Sequence, residues 1–116
     1  MNRKTGYTVA KMPPHRSDKQ RLESLQQANR VRKLRALDKQ LLKSRKIDAR
    51  SLLVSPPAYW QGARIAELLL AIPAVGHAKV KAMLQKQAVS PSRTIGGLTE
   101  QQRLRLAEQL AHYYRR

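Results

Sequence analysis

The sequence predicts an all-α protein, a long N-terminal helix followed by a small helical body. Three observations carry this. No stretch alternates polar and apolar residues with period two over a useful length, so no sheet is expected. Residues 18–45 contain neither Gly nor Pro and are rich in good helix formers. Farther along, apolar residues recur at helical spacing between Pro, Gly and Ser punctuation.

Residues 1–16 carry Gly6, Pro13 and Pro14 with no apolar period, which predicts a flexible basic arm. Ser17 is expected to cap the long helix over 18–45, with Asp18 in its first turn. Within it Leu22 and Leu25 form one apolar pair. Leu34, Leu37, Leu41 and Leu42 form a fuller stripe, expected to pack on the body. Asp48 is placed to cap a short helix over 49–54, which Pro56 and Pro57 end.

Tyr59 and Trp60 follow. The chain has no Phe and one Trp, so the core must be mainly aliphatic, and Trp60 is expected to plug it. Stacking of this pair on nucleobases is the alternative. Ile65, Leu68, Leu69 and Ile72 fall at i, i+3, i+4 and i+7, a helix over 62–72 with one buried face. Pro73 stops it. Residues 73–76 make a tight turn, and a further helix runs to about 88, burying Val80, Met83 and Leu84. Ser90, Pro91 and Ser92 break the chain again. Thr99 with Gln102 forms a capping box that opens a last helix over 100–114, with Leu104, Ala107, Leu110 and Ala111 inward. A length of 116 residues suits one domain, expected over 17–116, with the body at about 47–114.

Charge is the dominant signal. Lys and Arg number 24 against 7 Asp and Glu, a net charge of +17. A compact domain with that charge repels itself, and a polyanionic partner is the usual compensation. The excess is lopsided: residues 1–50 hold 15 basic and 4 acidic residues, net +11, and residues 51–116 hold 9 and 3, net +6. The absence of Cys excludes disulfides, Cys-based zinc sites and a thiol nucleophile. The seven acids are scattered, and His15, His77 and His112 share no ligand spacing, so neither a metal site nor an enzyme is expected, nor a cofactor or small-molecule substrate. No run of 18 apolar residues exists, and residues 1–14 lack the apolar segment of a signal peptide, so no membrane partner is expected and a cytoplasmic location is. A coiled-coil seam of Leu34, Leu37 and Leu41 is too short for independent pairing, and a monomer is expected.

The informative unit is helix, tight turn of Pro73, Ala74, Val75 and Gly76, helix, loop, helix. Gly76 lacks a Cβ, so it can take φ > 0 and let another backbone come close. The amides after it open a helix and lack internal partners, which with the helix dipole makes an anion site. His77, Lys79 and Lys81 add side-chain donors. Arg64 precedes the turn, and Arg93 with Thr94 lies in the later loop. No acid falls between Glu67 and Glu100. Arg30, Arg32, Lys33 and Arg35 on the long helix form a supporting basic stripe.

Residues 30–112 resemble the integration host factor of actinobacteria. The resemblance is carried by Ile65-Ala66-Glu67-Leu68-Leu69, by Ile72-Pro73-Ala74-Val75-Gly76-His77-Ala78-Lys79, and by Lys81, Met83, Val89-Ser90, Ser92-Arg93, Gly97-Leu98 and Gln102. It implies a helix–two-turns–helix motif in an all-helical body. It implies a nucleoid protein binding double-stranded DNA, mostly through backbone phosphates and the minor groove, with bending or compaction and support of site-specific recombination. Val75 and Gly76 match the family's phosphate-binding turn, Lys79 and Lys81 its basic positions, and Arg93 the first arginine of its later loop. Three departures stand out. Ala74 replaces a Gly, so the turn must accept a Cβ. His77 replaces a Lys, and Thr94 and Gly96 stand where the family has two more arginines. The related turn of a ribosomal head protein keeps RNA binding open as the alternative.

Overall fold

The computed structural model describes residues 14–111 and 114. Its helices are α1 (Pro14–Lys43), α2 (Ala49–Val54), α3 (Ala58–Gln61), α4 (Ile65–Leu70), α5 (His77–Lys86) and α6 (Glu100–Leu110), with a 3-10 turn at Ile95–Gly97. The all-α expectation holds: among the described residues no strand forms, and one antiparallel bridge joins Arg64 to Thr94. No described helix is long and apolar enough to cross a membrane. The chain divides into two units, Met1–Arg32 and Lys33–Arg116. The division falls inside α1.

In the first unit, α1 begins at Pro14, four residues before the expected start. Proline suits the first helical position, where its missing N–H would have had no intrahelical partner and its φ is already helical. Ser17 is therefore a helical residue and not the cap. The expected arm, residues 1–13, lies outside the described residues. From residue 18 to residue 27 every residue is exposed, Leu22 at 57% and Leu25 at 52% among them.

In the second unit, α1 ends at Lys43 with Arg45 at φ 60°. That left-handed residue lets Lys46 N–H reach Leu41 O at 2.8 Å, closing the last turn. The expected stripe is only partly right. Leu42 is fully buried and Leu34 and Leu41 half-buried, but Leu37 is 52% exposed and its neighbour Asp38 is buried instead. The cause lies in α3. Tyr59 Oη and Trp60 Nε1 both donate to Asp38 Oδ2 at 2.8 Å, so a carboxyl group is the partner this interior requires. Arg35 Nε donates to Tyr59 O at 2.6 Å, and Lys39 pairs with Glu67 of α4 at 2.9 Å. Arg35, Asp38, Lys39 and Leu42 thus form one face at helical spacing.

Asp48 caps α2 as expected, accepting Arg50 N–H at 2.8 Å. At the other end of α2, Arg103 of α6 donates to Leu53 O and Val54 O at 2.6 and 3.1 Å, covering carbonyls that have no intrahelical partner. Thr99 and Gln102 form the expected capping box. The last helix ends at Leu110, short of 114, and Tyr114 Oη instead accepts Ala49 N–H at 3.1 Å. Ala107 and Leu110 face the core as expected, but Leu104 is exposed and Leu106, on the same edge of α6 as Ala107 and Leu110, is fully buried in its stead. Trp60 is fully buried in an otherwise aliphatic cluster that includes Leu53, Ile65, Leu68 and Leu84.

Candidate nucleic-acid interface

The expected helix over 62–72 is helical only at Ile65–Leu70. Residues 63–64 are instead drawn into pairing with the later loop. Ile65 N–H donates to Arg93 O at 2.8 Å and Ile95 N–H to Ala63 O at 2.9 Å, flanking the Arg64–Thr94 bridge. Ala66 N–H reaches Pro91 O at 3.3 Å. The opening amides of α4 are thereby covered by backbone of the loop, and Arg64, Arg93 and Thr94 come together, all exposed, at that end of the helix. Thr94 Oγ1 accepts Gly97 N–H at 3.1 Å, and Arg93 lays Nε and Nη2 on Gly97 O at 3.3 and 3.2 Å. A Cβ on Gly97 would lie 2.9 Å from Thr94 Oγ1, so this fold of the loop depends on that glycine.

The other end of α4 opens into the turn. Val75 N–H donates to Ile72 O at 3.3 Å, with Pro73 and Ala74 between, and Ala74 has φ 67°. Pro at the second position and φ > 0 at the third define a type II turn, whose third position favours Gly. The left-handed residue is Ala74. Gly76, which could take φ > 0, does not use that freedom: it has φ −96° and ψ 179°, extended backbone open to any residue. The turn is set by the Ile72–Val75 hydrogen bond, which places the positive φ two residues earlier. A Cβ on Gly76 would meet nothing within 4 Å, so the fold itself does not require a glycine there.

Gly76 is the N-cap of α5 and no side chain caps that helix. By contrast α2 and α6 are capped by Asp48 and Thr99. Ala74, Gly76, His77, Lys79 and Lys81 are exposed around this end, while the Val75 side chain is buried, so Val75 can offer a ligand only its backbone. Lys79 Nζ donates to Ala74 O at 3.2 Å, bridging the first turn of α5 to the strained residue.

The structure therefore separates the expected site residues into two groups, at the two ends of α4. Arg64, Arg93 and Thr94 stand at its start; Ala74 to Lys81 follow its end. A six-residue helix rises about 9 Å, comparable to the spacing of a few successive phosphates. Of the supporting stripe, Lys33 is exposed, while Arg35 is tied to Tyr59 O and lies 3.4 Å from the position of a Cβ on Gly62. Arg30 and Arg32 are exposed in the first unit. The sequence reading assigned no role to Asp38, and Gly97 stood only among the residues that carry the resemblance, with no part in the loop assigned to it. Gly97, four residues after Arg93, carries a readable signal; a buried Asp on a basic helix carries none.

Fold and site together define a small all-helical protein whose basic side chains gather at the two ends of a short helix. This architecture is similar to that of sIHF, solved bound to an 8 bp palindromic DNA, with a TM-score of 0.61 and 21% identity over 77% of this chain and 98% of that one. No family model matches the sequence. A 43-residue segment is 44% identical to part of the guanylate kinase of Leifsonia xyli subsp. xyli (strain CTCB07), covering 37% of this chain and 17% of that protein. The chain thus spans less than a fifth of that relative's length.

Proposed function

We propose that the protein binds double-stranded DNA as a monomeric, nucleoid-associated architectural protein of the actinobacterial integration host factor type. The body holds backbone phosphates and the adjoining minor groove with little regard to sequence, bending or compacting the duplex and supporting site-specific recombination. The observation that carries this reading is the opening of α5. Its first amides have no side-chain cap, Gly76 leaves the approach open, and Lys79 and Lys81 stand beside them. Arg64, Arg93 and Thr94 supply a second phosphate contact at the far end of α4. That sIHF, with a similar fold, was solved on DNA supports the same ligand here.

The partial likeness to a guanylate kinase does not carry a nucleotide-kinase reading. The five glycines, at 6, 62, 76, 96 and 97, nowhere form the Gly-x4-Gly-Lys-Ser/Thr loop that cradles nucleotide phosphates. The test is fluorescence anisotropy of a labelled duplex of about 20 base pairs across a salt series, with unlabelled duplex DNA and duplex RNA as competitors. The expected result is affinity that falls steeply with salt and is competed better by DNA. Better competition by RNA overturns the reading in favour of a ribosome- or RNA-associated protein.

A further inference from the structure

We propose that the first unit's part of α1, residues 18–32, is a reader of the DNA major groove, with Gln26 and Arg30 turned to the base edges. The proposal rests on duplex binding by the protein and adds sequence preference to the phosphate contacts of the body.

The helix is free to enter a groove. Every residue from 18 to 27 is exposed, as are Asn29, Arg30 and Arg32. A helix with its side chains is about 10–12 Å across, and the major groove of B-form DNA about 12 Å wide. A helix with an exposed face of this length can lie there. A helix this polar, with no buried face to stabilise it, also gains most from a partner that orders it.

Its charge fits that partner. Residues 18–32 hold 4 Lys and Arg against 2 Asp and Glu, a net of +2, and residues 1–17 of the sequence add 4 more basic residues and no acid. One acid, Asp18, already faces Arg21 at 3.8 Å.

The chemistry of one face fits base edges. Leu22, Gln26 and Arg30 follow at i, i+4 and i+8, one line along the helix. Gln makes a paired donor–acceptor contact with adenine, Arg a two-pronged one with guanine, and an apolar side chain meets the thymine methyl. Neither Gln26 nor Arg30 has a hydrogen bond or ion pair among the described residues. Asn29, beside them, is held by Arg32 Nη1 on its Oδ1 at 2.7 Å, which leaves Gln26 and Arg30 as the readers.

The test uses the full chain on duplexes selected from a random-sequence library. Guanine N7 lies in the major groove, so its protection from dimethyl sulfate reports occupancy there. The expected result is protected guanines in the selected sequence. Affinity for that sequence over a scrambled duplex should be about tenfold or more, and Gln26→Ala, alone and together with Arg30→Ala, should reduce that ratio towards unity. Both positions are exposed, and circular dichroism of the variant checks that its helix content is kept. Tight duplex binding without N7 protection, or a variant that keeps its selectivity, overturns this proposal alone. No binding to any duplex overturns the DNA reading as well. Preference for duplex RNA, whose deep narrow groove admits no helix, does the same.

Discussion

Trp60 donates its indole N–H to Asp38 at 2.8 Å, on the face that the second half of α1 turns to the core. Trp60 is fully buried and Asp38 is 8% exposed. Tyr59 Oη shares the same oxygen at 2.8 Å, and burial together with the hydrogen bond to Asp38 raises the Tyr59 pKa. Removing the carboxyl group strands two donors. Asp38→Ala should cost roughly 2–4 kcal/mol in urea unfolding, and Asp38→Asn somewhat less, since one acceptor oxygen remains. Trp60, the single tryptophan, reports the event directly: its emission should shift to the red in Asp38→Ala. Unchanged emission and stability would show that the contact does not hold α1.

Ala74 and Gly76 should respond in opposite ways. Ala74 stands at φ 67°, a conformation that costs a residue with a Cβ about 1–2 kcal/mol. Ala74→Gly relieves this but loosens the unfolded chain, so a net stabilisation of about 0.5–1 kcal/mol is expected in thermal melts. Gly76→Ala should leave the melting temperature nearly unchanged, because its φ is ordinary and its surroundings open. The added methyl should nevertheless weaken duplex binding, since it narrows the approach to the α5 amides. Binding unchanged by Gly76→Ala would remove that helix end from the interface.

Lysine and arginine variants separate phosphate contacts from structural ties. Lys79→Ala and Lys81→Ala should each lower the slope of log affinity against log salt by about one unit, with similar loss across sequences. Arg35→Ala should leave the slope alone and lower stability by about 1 kcal/mol, because its guanidinium serves Tyr59 O. A reduced slope for Arg35→Ala would place it on DNA.

The pH dependence of stability should show an acid and an alkaline limb. Burial raises the Asp48 pKa, but the hydrogen bonds and charge of Arg50 outweigh it and hold the group below 3.8. A carboxyl group depressed in the fold stabilises above its unfolded value and loses that contribution as pH falls through the folded one. Stability should therefore drop below about pH 4, and Asp48→Asn, which keeps a capping side chain, should flatten that drop. Burial pushes the Tyr114 hydroxyl above 10. Its contribution is present below pH 10 and lost as pH rises through the folded value. Tyr114→Phe should flatten this limb of a chemical-unfolding series, at the cost of the bond to Ala49 N–H.

Sequence alone determined what depends on neighbours along the chain. The helical class, the caps at Asp48 and Thr99, and the breaks at Pro56, Pro57 and Pro73 are local chemistry, and the structure keeps them. So is the gathering of basic residues about the turn. Tertiary structure decided what depends on partners distant in sequence. Leu37 faces out and Asp38 in because Tyr59 and Trp60, more than 20 residues away, supply two donors to one oxygen. Arg64 and Arg93 meet because backbone hydrogen bonds join 63–65 to 93–95, a pairing that no periodicity announces. Ala74, not Gly76, takes the positive φ because the Ile72–Val75 hydrogen bond selects the turn and puts Ala74 at its third position.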